Sequence, residues 1–284
     1  MTDLDEFLKQ TLIDEPFDEY LRKSKEYLTS HQLIDFVKCP YLYYINTTKE
    51  SEPEKTNTAF LTGSAAHKLI LEGEEAFNKC YIAGDPINSK TGNPYGRETQ
   101  AYGRWIEEQK IEKGNPDLQF LSTEQWYQVQ QMWFSVQKHS QAMALLQNGL
   151  SERTLRVELE GISCQSRFDW AGMEGTIVDL KTCYSLDTFE EDAQKYRYGI
   201  QFVFYQMMYM KAYQLFCQEI HIPQFYIVAV EKSSPYRTGV FCVPTNCFHY
   251  FGNIIIDSLD FLKDCRRTGV YPTNFESVKT IKLY

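Results

Sequence analysis

Between residues 155 and 160 apolar and polar positions alternate with a period of two. Leu155, Val157 and Leu159 alternate with Arg156, Glu158 and Glu160, the pattern of a half-buried strand. Glu160-Gly161 turns the chain into a second strand, from Ile162 through Phe168 to Trp170. Ala171-Gly172-Met173-Glu174-Gly175 then sets two glycines where the backbone must reverse. The β-branched run Thr176-Ile177-Val178 resumes the sheet and ends in Asp179-Leu180-Lys181. Residues 224–231, with the largely apolar run Phe225 to Val230, predict a buried strand; Ser233-Ser234-Pro235 turns it into a last strand over 238–243.

Elsewhere the period is helical. Ser30 is placed to N-cap a helix through Leu33, Ile34 and Val37. A helix opens at Phe60 and runs through Leu69, Ile70 and Leu71, with the small residues Gly63 to Ala66 marking a close approach. Thr123 is placed to cap a long helix over 123–148, and Asp187 with Glu190 forms a capping-box pattern for a short one. Long helices follow at about 199–217 and 246–267. Residues 1–29 carry an amphipathic face at Phe7, Leu8, Leu12 and Ile13, suited either to a docking arm or to a first helix. Glycines and prolines punctuate 84–118 around a helical stretch from Gln100 to Lys113, an excursion beside the site or a surface loop. Residues 46–58 are polar and read as a loop.

Composition narrows the class. A chain of 284 residues with 43% hydrophobic and 15% aromatic content can bury a large core. No apolar run approaches the ~20 residues of a membrane span, and the acidic N-terminus lacks the form of a signal peptide. A soluble cytoplasmic protein is the expectation, with no membrane partner. The net charge of −9 argues against a general nucleic-acid coat but leaves room for a local basic groove. The eight cysteines form no C-x-x-C pair, so zinc is not expected.

The candidate chemistry lies at the turn between the second and third strands. Residues i and i+2 of a strand share a face, roughly 6.6–6.8 Å apart. Asp179 and Lys181 therefore stand side by side, and Asp169, across the glycine turn, can converge on them. Two carboxylates with one ammonium suit a hard divalent cation such as Mg²⁺. Gln201 and Tyr205, four apart, share one helix face.

At these residues the chain resembles the PD-(D/E)xK nuclease superfamily, and within it the RecE-type (exonuclease VIII) phage recombination exonucleases. It is more distantly similar to lambda exonuclease and the RecB-type nuclease domains. The proline that precedes the first acidic residue in that motif is replaced here by Phe168. The resemblance implies an α/β fold: a restriction-endonuclease-like core with a central mixed sheet flanked by helices, and an N-terminal helical region. It implies an N-terminal arm over 1–29 and a single nuclease domain over 30–284, with its catalytic core at about 150–245. Asp169, Asp179 and the Leu180 carbonyl are the implied ligands of Mg²⁺, for which Mn²⁺ can substitute. His67 follows a small-residue run like the family's G-x-x-x-H segment and is the implied further metal contact. Lys181 would orient or deprotonate the water and stabilise the transition state. Glu152, with Glu158 and Glu160 as rivals, would support the metal site. Gln201 and Tyr205 match a Q-x-x-x-Y motif that packs beside the site and contacts DNA, and Ser30 and Arg167 complete the DNA-binding set. Cys39 resembles the first cluster cysteine of iron–sulfur nucleases, but Cys242, Cys247 and Cys265 are too widely spaced, so no cluster is expected.

The activity implied is Mg²⁺-dependent digestion of linear double-stranded DNA from its ends, 5′→3′, leaving 3′ tails for a single-strand annealing partner. The form implied is a ring-like homotrimer or homotetramer. The rival readings are a structure-specific endonuclease and a non-catalytic DNA-binding or scaffold protein.

Overall fold

The alternating stretch folds into a hairpin whose turn is set by two left-handed residues. The computed structural model describes residues 3–48 and 58–281. In it Glu160 (φ 49°) and Gly161 (φ 76°) join two strands in the two-residue geometry that matches strand twist. In chain order the described helices are α1 (Asp3–Thr11), α2 (Phe17–Lys23), α3 (Ser30–Lys38), α4 (Pro40–Thr48), α5 (Thr58–Cys80), α6 (Gln100–Lys113), α7 (Thr123–Lys138), α8 (Ser140–Leu145), α9 (Phe189–Lys195), α10 (Tyr198–Cys217) and α11 (Cys247–Thr268). The strands are β1 (Tyr81–Ala83), β2 (Gln119–Leu121), β3 (Gly149–Leu159), β4 (Ile162–Gly172), β5 (Thr176–Cys183), β6 (Gln224–Glu231) and β7 (Thr238–Cys242).

Strands β3 to β7 form one sheet in sequence order. It is mixed: β5 and β6 run parallel, with α9 and α10 as the crossover, and the other neighbours are antiparallel. Alternation along β5 divides its side chains between two cores. Ile177 and Cys183 face a core shared with α1, α3, α10 and α11, and Val178 and Leu180 face one built on α5 and α7. The small residues of α5 serve that second contact: Ala65 and Ala66 are fully buried, and a Cβ on Gly63 would stand 3.4 Å from the Thr182 hydroxyl.

One irregularity in the sheet matters most. The β4–β5 ladder covers only Trp170/Val178, Ala171/Ile177 and Gly172/Thr176, next to the turn closed by Gly175 (φ 79°). The next pair in register would be Asp169 and Asp179, and there the strands splay. The free edge of β4 is taken instead by Leu28, whose N–H donates to the Ser163 carbonyl at 2.9 Å while Gln165 donates back to Leu28.

Residues 3–29 do not stand apart as an arm. Phe7 and Leu8 are fully buried, and the Phe7 ring meets Tyr209 and Tyr213 edge-on, each at 5.1 Å. Ile13 exchanges two backbone hydrogen bonds with Thr154 on the outer edge of β3.

Three caps differ from expectation. Thr29, not Ser30, caps α3, in a reciprocal box with Gln32, and Ser122, not Thr123, caps α7 with Gln125. In each case two adjacent residues are good caps, and the one three before a glutamine closes both bonds. The expected helix over 123–148 breaks at His139, whose Nδ1 accepts from Ala142 to start α8. Asp187 and Glu190 form no box: Ser185 caps a 3₁₀ turn at Leu186–Thr188, and Asp187 is drawn to Arg237. The excursion after β1 carries α6 over the expected span and returns through β2, which pairs parallel with β1. Among the described residues no helix is long and apolar enough to cross a membrane.

Candidate active site

The splay point exposes the two aspartates. Asp169 uses one carboxylate oxygen to accept the Leu180 N–H at 2.7 Å, so its side chain replaces the missing ladder bond. Asp179, only 3% exposed, is fixed from two sides: the Lys181 ammonium lies 2.6 Å from one oxygen, and Gln201 Nε2 donates to the other at 3.3 Å. Gln201 also reaches the Tyr205 hydroxyl at 3.5 Å. The Tyr198 ring, one helical turn before Gln201, lies 5.2 Å from the Lys181 ammonium.

His67 and Glu152 complete the floor. His67 Nδ1 is 3.8 Å from an Asp169 oxygen, and its ring hydrogen-bonds to the Leu180 backbone. Glu152 lies within β3 but has a left-handed backbone (φ 53°), an unusual conformation for a non-glycine residue inside a strand. Its side chain is gripped by Arg167, whose Nε donates to it at 2.8 Å. His67, Glu152 and Asp169 each offer one ligand atom, and these atoms lie within 4.8 Å of one another. Asp179, an expected ligand, is not one of this trio; its lysine and glutamine hold it.

The electrostatics fit a cation here. Burial pushes Asp169 well above the ordinary carboxylate range, and the neighbouring charges of Asp179 and Glu152 push it further. A cation among these oxygens would relieve that repulsion. Burial lowers His67 to about 4, which leaves its imidazole neutral and able to ligate. Burial alone would lower Lys181, but Asp179 and Asp169 overcome it and hold the ammonium above its ordinary value. Lys181 is therefore a charged donor in this arrangement. One imidazole with two carboxylates is a donor set that Mn²⁺ accepts readily and Mg²⁺ tolerates.

These groups lie in a cleft of about 1300 Å³. Phe17 and Leu21 of α2 line it together with Phe60 and Ser64 of α5. Two expected DNA-binding residues do not face it as free groups. Ser30 is fully buried with its hydroxyl against Tyr205. Arg167 bonds Glu152, the Glu15 carbonyl and Thr154, so its charge serves the site's framework. Gln201 and Tyr205 line the cleft, yet at 4% and 5% exposure they chiefly buttress Asp179. Tyr198 and the cleft-lining His31 and Lys232 were not singled out from sequence. Only Tyr198 had a signal there, its spacing of three from Gln201.

Residues 29–284 match the family model of a PDDEXK-like domain of unknown function (DUF3799). The crystal structure of a candidate exonuclease from Eubacterium rectale is similar in fold, with a TM-score of 0.64 at 15% identity, covering 96% of this chain and 97% of that one. Comparison with curated proteins found no match.

Proposed function

Because the chain belongs to this PDDEXK-like family, we propose that it is a divalent-metal-dependent exodeoxyribonuclease that degrades linear double-stranded DNA from its ends. One observation carries the reading: His67, Glu152 and Asp169 converge within 4.8 Å beside an Asp179–Lys181 pair at the splayed hairpin. The preference for ends is supported by the fold shared with a candidate exonuclease. Mg²⁺ is the proposed cofactor, with Mn²⁺ as substitute. The direction proposed is 5′→3′, leaving 3′ tails for a single-strand annealing partner in the cytoplasm of a bacterial or phage-infected cell. A ring-like trimer or tetramer around DNA would reconcile the net charge of −9 with a local basic channel.

Bound at this site, a divalent cation supplies charge to the phosphate oxygens and acidifies water. His67, Glu152 and Asp169 would hold it, with the Leu180 carbonyl as the proposed fourth ligand. Lys181 then directs a fixed positive charge at the phosphate, where negative charge grows in the transition state. Gln201 keeps Asp179 from turning away, and Asp179 in turn holds the ammonium in place. Arg167 fixes Glu152 toward the site.

The test is a digestion of linear, nicked and covalently closed duplex, with label at either 5′ or 3′ end, with and without Mg²⁺ or Mn²⁺. Linear duplex should disappear only with metal, and closed circles should survive. Rapid loss of closed circles would replace this reading with the structure-specific endonuclease.

A further inference from the structure

Next to Lys181 lies an aromatic array that the cation site does not use. Tyr198, whose ring touches the ammonium, is anchored on its core side by Phe202 at 5.7 Å and Phe189 at 6.3 Å. Tyr196 stacks on Tyr198, with centroids 6.0 Å apart and planes 26° apart. Side chains two residues apart do not face each other on a helix. These two meet at the α9–α10 junction, where Arg197 between them takes a left-handed backbone (φ 58°). A non-glycine residue held in that region carries strain that the surroundings must offset. The outer ring gains little from this arrangement as packing: Tyr196 remains 49% exposed. The Lys195 ammonium lies 5.3 Å from it. Tyr184, just past the end of β5, is 81% exposed. A lone exposed ring needs no explanation; a strained residue that stacks one onto the ring at Lys181 does.

We propose that Tyr196 and Tyr198 form a stacking platform for a nucleobase of a single DNA strand, adjacent to the phosphate directed at Lys181. Every base has a π-face, so such a platform accepts any sequence, and Lys195 can pair with a neighbouring phosphate. The inference rests on the nuclease reading and refines its substrate: the base at the platform is free of its stack on one face, as in a single strand or at the last base of an end, since a base inside a duplex has both faces occupied.

The experiment uses the full chain and a short single strand carrying 2-aminopurine, bound in Ca²⁺, with cleavage followed separately in Mg²⁺ or Mn²⁺. Stacking on an aromatic ring quenches this fluorophore. Tyr196→Ala should weaken binding by roughly 5- to 150-fold, the range of one lost base–aromatic stack, and abolish the quenching. Tyr196→Phe should keep both, because the ring remains. In cleavage, Tyr196→Ala should raise KM and leave kcat near wild type. Melting of both variants should match wild type, since the ring is half exposed. Binding and quenching by Tyr196→Ala within twofold of wild type would overturn the platform, as would a Tyr196→Phe variant no better than Tyr196→Ala. The two readings fail separately. Wild-type protein that binds with Tyr196-dependent quenching but never cleaves overturns the nuclease and keeps the platform. Protein that cleaves with an unchanged KM when Tyr196 is replaced by Ala overturns the platform and keeps the nuclease.

Discussion

Asp169 and Asp179 face each other where the β4–β5 ladder ends, and the two are held differently. Asp169 bonds one backbone N–H and otherwise faces His67 and Glu152, whereas Asp179 is buried against Lys181 and Gln201. Mn²⁺ should raise the melting temperature of the wild type, and Asp169→Asn should lose that stabilisation, because a neutral amide neither repels nor attracts as the carboxylate does. Retention of that stabilisation would remove Asp169 from the cation site. On the role proposed for Lys181, acting on charge development, Lys181→Ala should bind DNA ends in Ca²⁺ with near-normal affinity and salt slope. Its turnover in Mg²⁺ should fall by about 100-fold or more, the scale of a lost charge-stabilising group. Normal turnover at saturating DNA would make Lys181 a binding residue instead. Arg167 offers a contrast, since its donors go to Glu152, Thr154 and the Glu15 carbonyl. Arg167→Ala should leave the salt dependence of DNA binding unchanged, because no phosphate contact is lost. A shallower salt slope would restore it to the DNA-binding set.

At the scale of elements, alternation made the β3–β4 hairpin legible, β-branched and apolar runs made β5 and β6 legible, a turn signal announced β7, and α6, α10 and α11 were legible from helical spacing and breakers. The caps were not, because Thr29-Ser30 and Ser122-Thr123 offer two good candidates each and only the glutamine three residues on decides. The splay was not legible either. Beyond it Leu28, distant in sequence, takes the edge of β4 at Ser163 and Gln165, and no local pattern records that. Arg167 looked like a free cation for the same reason: its partner Glu152 turns inward only through a left-handed backbone. The end of β6 supplies a test of such hidden ties. Glu231, 3% exposed, accepts the Leu186 N–H at 3.0 Å and is gripped by the Arg237 guanidinium. These bonds, Arg237 foremost, lower it to about 2 from an ordinary 4.5. The folded-state value is depressed, so its contribution is fully present above about pH 4.5 and is lost as pH falls toward 2. The stability difference between wild type and Glu231→Gln, from urea melts, should be largest at pH 5 to 7 and shrink on acidification through that window. A difference constant from pH 6 to 3 would show that the carboxylate's charge is not what holds the turn.

At the scale of the whole molecule, the question is whether the first residues belong to the working domain. Their amphipathic face showed in the sequence, but a face alone does not say what covers it. The structure gives Phe7 to the core of α10, and Asp14 and Glu15 to the guanidinium groups of Arg153 and Arg156 on β3. Glu15 also lends its carbonyl to Arg167, the residue that holds Glu152. A path of contacts thus runs from the first helix to the cation site. An independent arm would make two measurements indifferent to it: global stability and cation affinity. An integral first helix should move both. Phe7→Ala empties a fully buried aromatic site, and such substitutions cost about 3–5 kcal/mol. Its urea midpoint should fall accordingly, in a single transition shared by probes at either end of the chain. Removing residues 1–15 takes away the Asp14, Glu15 and Ile13 contacts as well, and should weaken Mn²⁺ binding through the loosened Arg167–Glu152 pair. A truncated chain that melts and binds Mn²⁺ like the full one would return residues 1–15 to the status of an appendage.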